Sequence, residues 1–217
     1  MEKTEFVLRG GGTHASVVID AIQSGGHVVS GIFDPALTPT NKIGAHTVQS
    51  IRQGISIFPN YSAELLPKSK AIIAIGDNMI RWKLASETLH VLGVVKDCSA
   101  IVSAHSTIGG GTMILQGVII QTYASIGKHV IVNTGAKIDH DVVIGDFAHI
   151  GPGAILCGLV SVGEGTLIGA GAIILPGVSV GKWAVVGAGA VITENINDCA
   201  VVVGNPARYV KENTKHP

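Results

Sequence analysis

Cut in sixes, residues 125–148 read Ser-Ile-Gly-Lys-His-Val, Ile-Val-Asn-Thr-Gly-Ala, Lys-Ile-Asp-His-Asp-Val, Val-Ile-Gly-Asp-Phe-Ala. The same cut runs unbroken from Ile101 to Ile196 and gives sixteen hexads. Their second place is Ile ten times, Val five times and Leu once. The last place is mostly Ala, Val or Thr, and glycine recurs at the third. A period of six is neither the 3.6 of a helix nor the 2 of a plain strand. It fits a short strand and a turn, repeated. Three such units, about 18 residues, would close a triangular coil, and coils would stack about 4.8 Å apart. The second-place residues would point inward and lie on their equivalents one coil away. Ile and Val suit that slot because they are stiff at χ1. Each contributes roughly 1.5–3 kcal/mol on burial. Glycines at the corners would supply positive φ.

The rest of the composition agrees. The chain has 217 residues, 47% apolar, 14% charged and 4% aromatic, with 29 glycines. Eighteen of those glycines lie in the hexads, but only three of the nine aromatics do. Fifteen basic and fifteen acidic residues cancel, so no basic footprint for nucleic acid exists. The chain is too apolar for disorder. Glycine and polar residues interrupt every apolar run, so no membrane span is expected despite a mean hydropathy of +0.46. Met1–Glu5 is polar and carries no signal-peptide core. Cys98, Cys157 and Cys199 are odd in number and far apart, which suits free thiols in a reducing cytoplasm.

The first hundred residues read differently. Phe6–Leu8 is a short apolar run ending in Gly10-Gly11-Gly12-Thr13-His14-Ala15. Ser16–Gln23 reads as a helix, His27–Phe33 as a second strand ending in Asp34-Pro35, and Ala71–Ile75 as a third that enters Gly76. Ile80–Val91 reads as a helix and Val91–Val95 as a closing strand. Pro35–Lys70 reads as turns with one short helix. The pattern is an α/β, Rossmann-like βαβ unit over residues 1–97, and residues 98–217 form a second domain. The tail after Arg208 is charged and expected to fray. The run Gly10–Ala15 fits G-x-G-x-x-G/A between a strand and a helix, with Asp34 about 20 places on. Such a loop cradles a phosphate and offers a carboxylate to a ribose. It is equally the shape of a tight turn without a ligand. One half-fold suits a single nucleotide better than a dinucleotide.

The hexads resemble the hexapeptide-repeat, left-handed parallel β-helix of the acyltransferases. With the glycine loop ahead of them, the whole chain resembles the bacterial sialic-acid O-acetyltransferase and nucleotide-aminosugar N-acetyltransferase group. That resemblance implies a homotrimer, with acetyl-CoA on the β-helix and a nucleotide-sugar on the first domain. It implies substrate contacts at Gly12, Thr13, His14, Asp34, Pro35 and Gly76. It implies acetyl-CoA contacts at Asn133, His149, Ala170 and Ala188. Thr13, where a glycine is usual, and Pro35, where a second acid is usual, depart from the pattern.

Of nine histidines, His105, His129, His140 and His149 lie in the hexads. His105 and His129 read as surface decoration. His140 falls two places after the inward Ile138, outward near a corner, with an acid on either side. A carboxylate in contact raises imidazole basicity and fixes its tautomer. An amine or hydroxyl attacking a thioester needs such a base. The resemblance gives His140 that role, with Asp141 increasing its basicity. Gly158, one coil on, offers an N–H to the thioester oxyanion. His149 lies half a coil from His140, so the two project from different faces and share a site only between subunits. Neither histidine has the spacing of a three-imidazole zinc site, so no metal is expected. A separate nucleotide-type loop favours N-acetylation of a nucleotide-linked aminosugar over O-acetylation of sialic acid.

Overall fold

A computed structural model of the chain describes residues 3–37, 42–43, 46–47 and 54–217. Residues 38–41, 44–45 and 48–53, part of the stretch read as turns and a short helix, lie outside the described residues. Every hexad from Ile101 on forms a two-residue strand, and strands pair with the strand 18 residues on: Ile114 with Val132, Ile120 with Ile138, Ile126 with Ile144. Three parallel sheets result, one per side of a triangular solenoid. The first face holds Met113–Ile114, Ile131–Val132, His149–Ile150, Leu167–Ile168 and Val185–Val186. The second holds Ile101–Val102, Ile119–Ile120, Lys137–Ile138, Ile155–Leu156, Ile173–Ile174 and Val191–Ile192. The third runs from Thr107–Ile108 to Ser179–Val180. The second-place residues and the small last-place residues form one continuous buried core. The fold is a parallel β-helix after an α/β domain, left-handed as the family resemblance implies.

The glycines divide by physical cause. Positive φ falls at the fifth place, not the third: Gly135, Gly153 and Gly171, but also Tyr123, His129, Asp141, Phe147, Leu159 and Trp183. Third-place glycines answer a different demand. A Cβ on Gly163 would lie 2.5 Å from the Lys182 nitrogen, and one on Gly127 would lie 2.7 Å from the Asp146 nitrogen. Close stacking of coils leaves no room there.

The solenoid begins one hexad before Ile101. Val95–Lys96 pairs with Met113–Ile114, so the strand expected at Val91–Val95 is reduced to a bridge from Leu92 to Ala71. The first domain is a four-stranded parallel sheet in the order Ser56–Phe58, β2 (Val28–Phe33), β1 (Glu5–Arg9), Lys70–Ile73. Helix α1 (Thr13–Ser24) buries Ala15, Val18, Ile19 and Ile22 against it. That layer packs in turn on Met113, Leu115 and Ile131 of the solenoid, so the two halves share a core. Helix α2 (Asn78–Ser86) is capped by Asp77, whose side chain accepts from the Ile80 N–H at 2.9 Å. It stops five residues short of the expected end. The Leu84 carbonyl is taken by the Thr88 hydroxyl and by Arg9, which ends the ladder.

A hairpin of Ala200–Gly204 and Ala207–Glu212 closes the far end of the solenoid. The tail beyond it is tied down rather than frayed. The Asn213 N–H donates to the Cys199 carbonyl, and its side chain donates to the Trp183 carbonyl at 2.7 Å.

Candidate functional site

Three groups of residues matter. The first is a corner of the second face. Ile138 enters the core, Asp139 follows, and its Oδ1 accepts from the His140 N–H at 2.8 Å. Asp141 then takes positive φ, +57°. That turn brings its Oδ2 to 2.9 Å from His140 Nδ1. A carboxylate only accepts, so Nδ1 carries the proton and Nε2 of the neutral ring is free to take one. The hydrogen bond from Asp141 and the charge of Asp139 raise the His140 pKa above that of an ordinary imidazole. The ring lies over Gly158, where a Cβ would sit 2.6 Å from Nε2. Gly158 is buried beneath it, and its N–H meets no acceptor among the described residues. This corner holds a base, its partner and an unengaged donor in one place.

The second group joins the two domains. His149 stands outward on the first face. Asn133 Nδ2 is 3.1 Å from its Nε2, and the Gly76 carbonyl is 3.3 Å from its Nδ1. The His14 ring, from the first turn of α1, has its centroid 6.5 Å from that of His149. Burial, and then the nearby Arg81 charge, hold the His149 pKa down at about 4. The same two causes lower that of His14. Gly12 and Thr13 precede His14 at the exposed N-terminus of α1. Ala170 and Ala188 are exposed, one coil apart, on the corner that follows the first face.

Asp34 and Pro35 line a third region, a cleft of about 350 Å³ on the other side of the glycine loop. Both Asp34 oxygens are engaged with backbone: Oδ2 accepts from Gly11 N–H at 2.6 Å and Oδ1 from Ala36 N–H at 2.9 Å. Arg9 forms part of this cleft, stacked 4.2 Å over the Tyr61 ring and paired with Glu87.

Gly12, Thr13, His14, Gly76, Asn133 and His149 therefore gather at the domain junction. His140, Asp141 and Gly158 sit on a separate corner. Among the described residues, no hydrogen bond, ion pair or ring contact links the two groups within one chain.

Two residues escape a reading by sequence. Arg81 is fully buried. Its Nε donates to the His129 carbonyl at 2.8 Å, and its Nη2 to the Phe147 carbonyl and Asn78 Oδ1, both at 2.7 Å. Its Nη1 donates to the carbonyls of Ile75 at 3.0 Å and Gly76 at 3.3 Å. Asn78 Nδ2 reaches the Gly165 carbonyl at 2.9 Å. His129, Phe147 and Gly165 are equivalent corners of successive coils, so α2 reads a column of turn carbonyls. An arginine in a short helix gives no sequence signal of this. His129 is also not surface decoration. It is 4% exposed and stacked on Phe147 with centroids 5.0 Å apart, because Gly111 leaves space beneath it.

Comparison with known proteins follows this division of the chain. Residues 5–88 match the family model described as the PglD N-terminal domain, and residues 159–194 match the hexapeptide repeat of succinyl-transferase. PerB from Caulobacter crescentus, solved with CoA and GDP-perosamine, is 34% identical with a TM-score of 0.84, over 95% of this chain and 97% of that one. The acetyltransferase domain of PglB from Neisseria gonorrhoeae FA1090, solved with acetyl coenzyme A, is 30% identical with a TM-score of 0.82, over 96% of this chain and 100% of that one. WeeI from Acinetobacter baumannii AYE is 25% identical with a TM-score of 0.79, over 96% and 100%. No curated protein sequence matches at a significant level.

Proposed function

Because the chain belongs to the family of hexapeptide-repeat sugar acetyltransferases with a PglD-type N-terminal domain, we propose that it transfers the acetyl group of acetyl-CoA to the amino group of a nucleotide-linked 4-amino-4,6-dideoxy sugar. The observation that carries this reading is the His140–Asp141 pair, a base of raised pKa beside the unengaged N–H of Gly158. The amine nitrogen forms a bond to the thioester carbon, His140 Nε2 takes the amine proton, and the carbon–sulfur bond breaks. The proton then passes from His140 to the departing thiolate. Gly158 N–H donates to the carbonyl oxygen as it gains charge, an interaction that strengthens in the transition state. Asp141 stabilises the imidazolium that forms.

Gly12, Thr13, His14, Asp34, Pro35 and Gly76 hold the nucleotide-sugar. Asn133, His149, Ala170 and Ala188 hold acetyl-CoA, and the exposed alanine column leaves its arm an open path along the corner. The two groups meet between subunits. The second face supports this reading: Ile101 and Ile119, then Ile155, Ile173 and Val191, stack outward along it in register, with Lys137 between the two runs. A soluble chain gains by covering such a ladder with copies of itself. We therefore propose a homotrimer, with His140 of one subunit facing the junction of the next. No helix among the described residues is long and apolar enough to cross a membrane. We place the reaction in the cytoplasm, with its acetyl-CoA.

The test is thiol release from acetyl-CoA with a panel of nucleotide 4-amino sugars and, beside it, sialic acid. Release with a nucleotide 4-amino sugar is expected, and release with sialic acid alone would replace N- with O-acetylation. Light scattering should give three times the 22.3 kDa chain mass. A monomer would break the shared site.

A further inference from the structure

A chain of hydrogen bonds runs from the solenoid corner to the nucleotide loop. The Thr134 N–H donates to Asn133 Oδ1 at 2.8 Å, which fixes the orientation of that amide. Asn133 Nδ2 therefore donates to His149 Nε2, and that nitrogen is the acceptor. The Gly76 carbonyl can only accept, so His149 Nδ1 carries the proton. The same carbonyl accepts from Arg81 Nη1. Arg81 has no carboxylate partner among the described residues. Its planar fork instead spans carbonyls of the loop and of two solenoid corners.

We propose that Arg81 is a positioning residue for acetyl transfer: by holding the Gly76 carbonyl it sets the ring orientation and tautomer of His149, and so seats the nucleotide-sugar loop and the acetyl-CoA wall as one unit. The inference rests on the proposed roles of Gly76 and His149. A lysine cannot replace the fork, because an ammonium is a point donor and cannot reach these carbonyls together. Arg81 from α2, His14 from α1 and the neutral Asn133 stand beside His149, and Asp77 and Lys215 line the same cavity. Asp77, at the head of α2, faces Arg81 and partly offsets its loss of water. Burial brings the Arg81 pKa down to about 9, so it stays charged at neutral pH, while His149 stays neutral.

Imidazole nitrogen NMR of protein labelled at histidine tests this directly, with His149→Asn to assign the signal. In the wild type, His149 should carry its proton on Nδ1 and not titrate between pH 5 and 8. In Arg81→Lys, the ring should change tautomer. KM for nucleotide-sugar and acetyl-CoA should then rise about tenfold, the effect of one mispaired buried group, with kcat nearly held. A wild-type ring with its proton on Nε2 overturns the proposal. So does a folded Arg81→Lys with unchanged ring and KM. If Arg81→Lys does not fold, Asn78→Ala, which removes the acceptor of Nη2, should show the same change at smaller size, and an unchanged ring there also overturns it. Loss of the ring signature in Arg81→Lys, with no acetyl transfer by the wild type, would spare Arg81 and sink the enzymatic reading.

Discussion

His140→Ala protein should fold and melt as the wild type does and lose about 10²–10⁴-fold in acetyl transfer, the usual contribution of a general base. Folding is spared because the side chain is half exposed, paired with Asp141 and lying over Gly158 rather than in the core. Turnover is not, because among the described residues no second imidazole of the same chain is paired with a carboxylate at that corner. The pH profile gives a second reading of the same residue. In the proposed role His140 is a base only when neutral, so kcat/KM should fall as pH drops through its pKa. The Asp141 hydrogen bond and the Asp139 charge raise that pKa, which places the acidic limb above an ordinary imidazole. Asp141→Asn removes the largest cause. Its limb should move to lower pH, and its plateau should fall because the base is weaker and its tautomer less fixed. The measurement is kcat/KM against pH for both proteins. A His140→Ala enzyme near wild-type kcat, or an Asp141→Asn limb that does not move, would sink the mechanism.

What could be read from the sequence follows how local each signal is. The inward ladder Ile114, Val132, Ile150, Ile168, Val186 is legible because each contact recurs at a fixed spacing along the chain. His140 and Asp141 are legible because partner and base are sequence neighbours. Arg81 is not, because its acceptors are backbone carbonyls 48 and 66 residues away, and any residue type can supply a carbonyl. His129 reads as surface because its cover, Phe147, lies a full coil on and its space depends on Gly111 a full coil before. The early end of α2 depends on Arg9 from the first strand. Across the domain junction, composition and spacing say which residues are available but not which of them meet.

The largest effect on folding should come from one methyl group at Gly163. Gly163→Ala puts a Cβ 2.5 Å from the Lys182 nitrogen and 2.6 Å from the Gly181 carbonyl carbon, both backbone of the next coil. Neither can move without breaking the pairing of Gly163 N–H with the Val180 carbonyl and of its neighbours. A cost of about 4 kcal/mol or more is expected, at the limit of what single substitutions do. Gly153→Ala is the control. Its φ is +65° and nothing lies within 4 Å of a Cβ there. Its cost is therefore only the left-handed backbone, about 1–2 kcal/mol. The solenoid already meets that cost at Tyr123, Phe147, Leu159 and Trp183. Chemical denaturation midpoints of the two variants should differ widely. Equal midpoints would mean that corner conformation, not coil stacking, explains both glycines. If stacking decides, the third place tolerates only glycine wherever the backbone of the next coil lies directly above. Asn133 and Asp139 occupy third places of their own, so their corners are shaped to admit a side chain. The whole third-place column of the second face does so: Ser103, Gln121, Asp139, Cys157, Leu175 and Thr193.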